Sequence, residues 1–460
     1  MLHMKSFGKF NSKLPSQPVQ VERRAPFVRD KTYENSPGVK EALAAIDARA
    51  QIILVTGRAG TGKTTLIQYL RNRPGGEFQA VVAPTGVAAM NAGAQTIHSF
   101  FHFPSVLLDR KNLPEGRRFG TLYQRMKRLV IDEVSMVRAD LLDAIDARLK
   151  EIRKTSAPFG GVQVIMVGDF LQLPPVVDEE HRPLLNALGY KSQFAFSAHA
   201  LQEEDVAVVS LDEVHRQEEK EFIDLLARVR MGEDPEEVAG ILNTHCHRPH
   251  RDGVTPLLLT PTRAAADRYN SQGLASLSGN IAEFQGTIAG KLEIDKDRLP
   301  VPENLVLRVG ARVMTVKNDA QRRWINGSLG TVSRIEQGFV YVKFDRSGEE
   351  HLVEPASWMK IRQAWNTADS RIDNEIIGSY KQLPLLPAWA ITIHKAQGLT
   401  LDDVRIDLGS GAFESGQVYV ALSRVRTIAG LSLAKPLQAS DLRANPMLVD
   451  FMNWAESKEQ

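Results

Sequence analysis

The strongest constraint on the fold is a glycine-rich string of eight residues, Gly57-Arg-Ala-Gly-Thr-Gly-Lys63-Thr64. It follows the short apolar run Ile52–Val55 and precedes a stretch, Thr65-Leu-Ile-Gln-Tyr-Leu70, that is typical of a helix. The pattern G-x-x-x-x-G-K-[ST] between a strand and a helix is that of a phosphate-binding loop, whose backbone amides surround phosphate oxygens. The string therefore predicts a nucleotide site in an α/β protein.

The residue types in this loop have separate predicted roles. Glycine lets the backbone approach the phosphate oxygens because no side chain intrudes. Lys63 would bridge the β- and γ-phosphates, and the Thr64 hydroxyl would ligate Mg²⁺. The residues of the loop that we expect to bind the nucleotide are Gly57, Gly60, Thr61, Gly62, Lys63, Thr64 and Thr65.

A second string supplies the acids that such a site needs. The apolar run Leu129–Ile131 is followed directly by Asp132 and Glu133. Asp132 would hold Mg²⁺ through water, and Glu133 would polarise the attacking water. The two strings together predict a nucleoside triphosphatase.

Other apolar runs indicate how the chain is organised. Short runs bounded by turn signals, at Ala80–Val82 and Val162–Val167 besides the two above, predict a doubly wound parallel sheet. A second α/β region is expected from about Phe194, with Val206–Leu211, Leu257–Leu259 and Ala390–Ile393 as its strands. Between about residues 301 and 361, short alternating strands interrupted by Asn-Gly and Ser-Gly turns predict a small β-barrel.

Composition narrows the class of protein further. At about 150 residues per domain, 460 residues suggest about three domains, and the hydrophobic content of 43% is that of a globular protein. No run approaches the ~18–20 apolar residues of a membrane span, so we expect a soluble protein with no membrane partner. The single Cys246 fits a reducing compartment: the cytoplasm, near the nucleoid, if the source is bacterial. An organellar or nuclear location stays open.

Charge alone does not decide whether the chain binds nucleic acid. The formal net charge is only +2, but residues 1–31 and residues 101–128 each carry seven basic residues against two acidic ones. Such local surpluses suit a phosphate backbone, although solvated surface explains them equally well.

Seven strings in a fixed order carry a family resemblance. They lie at residues 57–64, 83–89, 129–137, 168–176, 211–217, 392–402 and 417–426. In this order they resemble a superfamily 1B helicase, and the string Ala157-Pro-Phe-Gly-Gly-Val-Gln163 narrows the resemblance to the Pif (petite integration frequency) family, with RecD-like helicases as relatives. The resemblance covers about residues 36–440.

The resemblance implies two RecA-like domains with ATP between them and translocation 5′ to 3′ along single-stranded DNA. It implies that Arg216 and Arg424 reach the γ-phosphate from the second domain, which suits a planar guanidinium that spreads over several oxygens. Gln172 could sense the γ-phosphate, and Gly398 belongs to the nucleotide site. The residues expected to line the DNA path are Pro84, Thr85, Gly86, His98, Phe100, Phe170, Thr392, His394 and Lys395.

The domain layout that follows is a flexible basic leader (1–34), a first RecA-like domain (35–193) with a wedge insertion (101–125), a second RecA-like domain (194–300 and 376–440), an SH3-like barrel insertion (301–375) and a C-terminal tail (441–460).

The expected partners are single-stranded DNA and 5′-tailed duplex DNA, with four-stranded guanine structures and RNA–DNA hybrids as further candidates, and a monomer is expected. Two alternatives stay open, a DNA translocase that does not separate strands and a nucleotide-switched DNA-binding module.

One departure from the family pattern concerns the base. Helicases of this kind usually carry a leucine–acid–glutamine element before the phosphate loop that reads adenine. The segment Tyr33–Val39 occupies that region without an obvious equivalent, although Asn35 could substitute by hydrogen bonding.

Overall fold

A computed structural model describes residues 31–73, 79–92, 94–104, 106–114, 120–202, 204–249, 255–290, 299–321, 323–366 and 371–457. The predicted leader therefore lies outside the described residues up to position 30. Its last four residues, Lys31–Glu34, form a short helix, α1.

A six-stranded parallel sheet forms the first lobe. Its strands are β1 (Ile52–Gly57), β2 (Gln79–Ala83), β3 (Gln95–Thr96), β4 (Arg128–Ile131), β5 (Gln163–Val167) and β6 (Val206–Leu211), in the spatial order β3-β2-β4-β5-β1-β6. Every residue of β1, β4 and β5 is buried, as expected for a parallel sheet with both faces covered. The predicted doubly wound sheet is thus confirmed.

Helices cover both faces of this sheet. They are α2 (Pro37–Asp47), α3 (Lys63–Asn72), α4 (Gly86–Asn91), α5 (Ile97–Phe101), α6 (Gly120–Arg125), α7 (Ala139–Arg153), α8 (Arg182–Ala187) and α9 (His199–Gln202). On one face, α2 and α3 pack against β1, and on the other α7 buries Leu142, Ile145 and Leu149 at the helical spacing seen in the sequence.

The strand Val206–Leu211 corrects the predicted domain boundary. The sequence placed it in the second α/β region, but β6 pairs in parallel with β1, with Ile52 opposite Val206 and Gly57 opposite Leu211. The first lobe therefore continues to Leu211. A short apolar run carries no information about which of two parallel sheets it joins, and this explains the error.

The remaining strands are β7 (Leu257–Thr260), β8 (Ala282–Gln285), β9 (Thr287–Gly290), β10 (Asn304–Leu307), β11 (Arg312–Thr315), β12 (Leu329–Glu336), β13 (Phe339–Phe344), β14 (Glu350–Val353), β15 (Ala356–Asn366), β16 (Arg371–Gln382), β17 (Leu385–Pro387), β18 (Ala390–Thr392), β19 (Val404–Ile406) and β20 (Leu431–Leu433). Four of them form the parallel sheet of the second lobe, in the order β18-β7-β19-β20. Its helices are α10 (Lys220–Met231), α11 (Pro235–Cys246), α12 (Arg263–Ala275), α13 (Ile393–Ala396) and α14 (Gln417–Leu422).

An antiparallel region is inserted into the second lobe between β7 and β18. It contains a five-stranded sheet, β14-β13-β12-β11-β17, a three-stranded sheet, β15-β16-β9, and the pair β10-β8. It has a core of its own, with Val313, Val332, Val342 and Leu385 among the buried residues. These strands extend from Ala282 to Pro387, so the inserted β-structure begins earlier and ends later than the predicted range 301–375.

The predicted wedge, residues 101–125, packs on the first lobe at both of its ends. Asp140 at the start of α7 accepts the Leu108 backbone N–H at 2.9 Å and pairs with Arg138. The Tyr123 hydroxyl in α6 donates to the Phe100 carbonyl, and α6 also contacts β15 of the inserted region. Whether this segment splits a duplex stays a prediction.

The C-terminal residues form a structural helix and not a tail. Helix α15 (Pro446–Ser457) returns from the second lobe and buries Leu448, Met452 and Ala455 in the core of the first lobe. In the part of the chain that the structure describes, none of the helices has the length and apolar character needed to cross a membrane.

Candidate active site

The phosphate loop connects β1 to α3, and two of its glycines are required by their surroundings. Gly60 and Gly62 have positive φ values of 87° and 86°. A Cβ atom on Gly60 would lie 2.6 Å from the Arg216 Cβ, and one on Gly62 would lie 2.6 Å from the Tyr33 ring. Both backbone conformation and packing therefore exclude larger residues here.

The predicted phosphate-binding lysine lies inside the loop. Its Nζ donates to the carbonyls of Gly57 at 2.6 Å and Arg58 at 2.8 Å. Burial lowers the pKa of Lys63 to about 8, and the nearby carboxylates of Asp169 and Glu133 oppose that shift. The ammonium is thus held inside the phosphate loop by two backbone carbonyls.

The threonines of the loop differ in accessibility. Thr61 is buried and donates its hydroxyl to the Arg58 carbonyl at 3.0 Å, which stabilises the turn. Thr65 is half-buried, whereas the side chain of Thr64, the predicted Mg²⁺ ligand, is exposed at the start of α3. Gly398 lies in the second lobe, where it turns the chain with a φ of 79°.

The two acids follow β4, as the sequence predicts, and both are largely shielded from water. Asp132 accepts the backbone N–H of Glu133 at 2.9 Å, and Glu133 has left-handed backbone angles, φ 50° and ψ 48°. Such angles are uncommon for a residue other than glycine and carry a cost in free energy, and residues that adopt them are enriched at functional sites.

Burial, and then the proximity of the Glu133 carboxyl, raises the pKa of Asp132 to about 8. Burial likewise raises the pKa of Glu133. A carboxylate and a threonine hydroxyl are hard oxygen donors, so Asp132 and Thr64 form a donor set that fits Mg²⁺. A bound divalent cation would also compensate the raised free energy of the ionised Asp132.

The second lobe brings both predicted arginines to this site. Arg216 donates to the Thr400 hydroxyl at 3.0 Å and to the Ser423 carbonyl at 3.1 Å, with its Cβ against Gly60. Arg424 is almost fully buried and donates to the Val420 carbonyl at 2.7 Å.

These two arginines affect each other's charge. Burial, followed by repulsion from Arg216, lowers the pKa of Arg424 to about 9, while Glu133 favours its charged form. Burial lowers the pKa of Arg216 as well. Two neighbouring cations beside a phosphate loop, one buried and one half-buried, are an arrangement that an anion would stabilise.

Glutamine side chains join the two lobes at the same place. Gln397, from the second lobe, donates to the Glu133 carboxylate at 2.9 Å and to the Gln172 carbonyl oxygen at 3.4 Å. Gln172 is therefore brought to the predicted site, next to Glu133.

Three residues here were missed by the sequence analysis. Gln397 lay within the family string 392–402, so its neighbourhood was a usable signal. Tyr33 donates its hydroxyl to the Gly62 carbonyl at 2.8 Å, and Tyr419 accepts the N–H of Ala59 at 2.9 Å. Neither tyrosine has a spacing that reveals such a long-range contact. Asn35, the proposed adenine reader, is exposed.

The predicted DNA path shows a local structure that is repeated in the two lobes. Thr96-Ile-His98 follows β3, and Thr392-Ile-His394 follows β18. In each, the threonine caps a short helix by accepting the N–H three residues on, at 3.2 Å. His98 and His394 are half-buried, and Lys395 is exposed.

Pro84, Thr85 and Gly86 lie at the carboxyl end of β2, on the same edge of the first sheet. Thr85 accepts the Ala88 N–H at 3.2 Å and so begins α4. Pro84 and Thr85 are half-buried, and Gly86 is exposed with open space around it. These residues are accessible to a ligand.

Phe100 and Phe170 are corrections to the predicted DNA path. The Phe100 ring is buried edge-on against Tyr123, with centroids 5.5 Å apart. The Phe170 ring is buried between Phe196 and Phe451. Neither ring offers a face for base stacking, because each buries more apolar area by packing in the core of the first lobe.

Two parallel-sheet lobes that share one phosphate loop, with acids on one side and arginines on the other, define the class of two-lobed RecA-like P-loop proteins. A family model described as PIF1-like helicase matches residues 36–240. The chain is 34% identical over 411 residues to ATP-dependent DNA helicase Pif1 of Bdellovibrio bacteriovorus, covering 87% of this chain and 88% of that protein. The chain belongs to the PIF1-like helicase family.

Other relatives agree with this assignment. The chain is 34% identical to ATP-dependent DNA helicase PIF1 of Mus musculus over 92% of its own length and 63% of the mouse protein. It thus spans less than two thirds of the length of the vertebrate relatives that it matches. The crystal structure of a Bacteroides Pif1 with ADP-AlF4 superposes with a TM-score of 0.82 at 34% identity, covering 92% of this chain and 97% of that one, and a Bacteroides Pif1 bound to single-stranded DNA gives 0.69 at the same identity and coverage.

Proposed function

We propose that this chain is an ATP-dependent DNA helicase that moves 5′ to 3′ along single-stranded DNA. The observation that carries the proposal is the convergence of Lys63 and Glu133 from one lobe with Arg216, Arg424 and Gln397 from the other. A site completed by both lobes binds a nucleotide most tightly when the lobes are closed, so turnover can drive their relative motion. The names of the relatives and the DNA-bound Bacteroides structure support DNA as the substrate.

The phosphate loop would hold the nucleotide by its backbone amides and by Lys63. When the nucleotide binds, the Lys63 ammonium would leave the carbonyls of Gly57 and Arg58 and donate to β- and γ-phosphate oxygens. The negative charge of these oxygens would offset the free-energy cost of burying the ammonium. Thr64 and Asp132 would hold Mg²⁺, which when bound neutralises phosphate charge.

Glu133 is the proposed general base. It accepts the proton of the water that attacks the γ-phosphate, and its raised pKa makes it a better base near neutral pH than an exposed glutamate. The hydrogen bond from Gln397 fixes the orientation of the carboxylate and favours its ionised form.

Arg216 and Arg424 would stabilise the charge that develops on the transferred phosphoryl group. A pKa of about 9 leaves Arg424 protonated at neutral pH. An arginine supplied across an interface in this way is worth about 10³–10⁵ in turnover in related chemistry. Hydrolysis and phosphate release remove the anion between the two arginines and the loop, and the lobes can then reopen.

The DNA strand would be held by one repeated Thr-Ile-His segment in each lobe. Thr96–His98 and Thr392–Lys395 lie at the carboxyl ends of parallel strands, the edge at which such sheets bind ligands. Because one segment moves with each lobe, closing and reopening changes their separation along the strand and advances the protein.

The test is an ATPase assay followed by an unwinding assay on one protein preparation. We expect oligothymidine to stimulate ATP hydrolysis at least tenfold, and we expect strand separation with a 5′-tailed duplex and none with a 3′-tailed one. A rate of ATP hydrolysis that does not change when DNA is added indicates a nucleotide-switched binding module. A stimulated rate without strand separation indicates a translocase. Lys63→Ala is the control and should abolish turnover.

Finer substrate preferences belong to the same proposal. The test uses substrates in which a 5′ single-stranded tail precedes a four-stranded guanine structure or an RNA–DNA hybrid. Strand separation on these substrates would show that the protein also unwinds them. Since one chain supplies both halves of the nucleotide site, we propose a monomer as the active unit. Sedimentation at the concentration of the unwinding assay checks this.

A further inference from the structure

A buried ion pair joins the two lobes next to the phosphate loop. Arg230, at the end of α10 in the second lobe, donates to both carboxylate oxygens of Asp169, which follows β5 in the first lobe. The nitrogen–oxygen distances are 3.1–3.2 Å, and neither side chain is more than 5% exposed. Neither residue has a role in the chemistry described above.

Stability does not account for this pair. Burying two charges costs about as much free energy as their attraction returns, and apolar residues of similar size often serve a core equally well. Burial alone would raise the pKa of Asp169, but Arg230 and Lys63 together hold it below its usual value. Asp169 is therefore an ionised acceptor whose surroundings are fixed from both lobes.

The same carboxylate orients Gln172. Asp169 accepts the Leu171 backbone N–H at 3.2 Å and the Gln172 Nε2 at 3.4 Å. The other end of the Gln172 amide accepts Nε2 of Gln397, which also donates to Glu133. Because the Gln172 Nε2 donates to Asp169, only one of the two orientations of the amide is favourable. The flipped amide would place its oxygen against a carboxylate.

We propose that Arg230 is a positioning residue that fixes Asp169 and, through it, the Gln172 amide. The second lobe thereby sets the orientation of the side chain that senses the γ-phosphate, without contacting the nucleotide itself. This inference rests on the proposed function and on the sequence-based prediction that Gln172 senses the γ-phosphate.

The test is a double-mutant cycle of Arg230→Gln and Gln172→Ala, with steady-state ATP hydrolysis measured at saturating oligothymidine. If Arg230 acts through Gln172, Arg230→Gln lowers kcat about tenfold or more and leaves the KM for ATP within threefold. In the Gln172→Ala background it lowers kcat by less than twofold. Equal losses in both backgrounds, or an effect on KM alone, overturn the proposal.

Arg228 supplies a matched control on the same helix. It pairs with Asp234 and Glu237 at the exposed surface, at 3.1 and 2.9 Å. Arg228→Gln removes exposed ion pairs from the same helix by the same substitution and should leave kcat within twofold of wild type in both backgrounds. A loss equal to that of Arg230→Gln would make the effect one of helix α10 in general and overturn the proposal.

Arg230→Lys keeps the inference testable if Arg230→Gln does not fold. The ammonium retains the charge but not the planar fork, so we expect at least a threefold loss of kcat in the wild-type background and none with Gln172→Ala. Failure of the proposed function is distinguishable, because the wild-type protein would then show no DNA-stimulated hydrolysis. A Gln172→Ala variant with unchanged kcat would overturn the inference and leave the proposed function standing.

Discussion

Asp132 and Glu133 are carboxylates placed where water cannot stabilise their charge. Both lie at the end of a wholly buried strand, and burial raises the pKa of each. Lys63 and Arg424 show the converse, since burial lowers their pKa values to about 8 and about 9. A site that holds both kinds of shifted group close enough to interact electrostatically suits a polyanion and its cation.

This arrangement predicts a pH-dependent effect of Asp132→Asn. Folded Asp132 keeps its proton up to about pH 8, whereas the unfolded chain loses it near pH 4, so the free energy of unfolding falls as pH rises between these values. Asparagine has no proton to lose. In EDTA, without nucleotide, Asp132→Asn should therefore raise the Tm by a few degrees at pH 8 and change it little at pH 5.

The exposed Asp224 on α10 provides the control for this comparison. Asp224→Asn should change the Tm equally at both pH values. An Asp132→Asn effect of the same size at pH 5 and pH 8 would contradict the assignment of Asp132 as a buried, destabilised carboxylate.

Sequence reasoning was most successful where chemistry depends on neighbours along the chain. The glycine positions, Lys63 and the paired acids were predicted from their spacing and their position after strands, and the structure places Arg216 and Arg424 near them. Contacts between distant residues, such as Tyr419 with Ala59 or Arg230 with Asp169, leave no local pattern. Phe100 and Phe170 failed for a related reason, because an aromatic ring near a motif can serve either a ligand or the core.

Helix α15 is the element whose role differs most from expectation. It follows the last strand of the second lobe but packs on the first, where Phe451 stacks on Phe196 with centroids 4.2 Å apart and contacts Phe170 at 5.0 Å. Phe170 is next to Asp169, so the C-terminal helix supports the segment that carries Gln172.

Met452→Ala should therefore destabilise the first lobe. Met452 is only 1% exposed in the shared core, and replacing such a methionine with alanine costs about 2–5 kcal/mol. Urea unfolding measures the loss. Asn453→Ala, one residue further along and exposed, should change the midpoint little, and equal effects of the two variants would mean that α15 does not pack on the lobe.

The elements themselves were predictable to different degrees. Buried parallel strands were recognised from apolar runs bounded by turns. The sheet to which β6 belongs and the extent of the antiparallel region were not, because pairing is decided by residues far away in the chain. The prediction of a tail over residues 441–460 is wrong, and the helical spacing of Leu448, Met452 and Ala455 in the sequence indicates a buried face.

The two lobes share an interface in which side chains of each lobe pack into the other. Ala59 and Leu173 of the first lobe pack in the core of the second, while Arg230 and Gln397 of the second hydrogen-bond to acids of the first. The phosphate loop is itself part of the contact between the lobes. We expect closure to depend most on the position where the loop contacts Arg216.

Gly60→Ala should separate the two lobes at this interface. Its Cβ would lie 2.6 Å from the Arg216 Cβ, so the lobes must separate in addition to the cost of a positive φ. Gly338→Ala is the matched control, since Gly338 has nearly the same φ, 84°, with open space around it. Both variants should lose similar stability from the backbone, but only Gly60→Ala should lose ATP hydrolysis, by tenfold or more, and show a larger radius of gyration in solution scattering with ADP-AlF4. If Gly60→Ala stays as compact and as active as Gly338→Ala, the contact between Arg216 and the loop does not control closure.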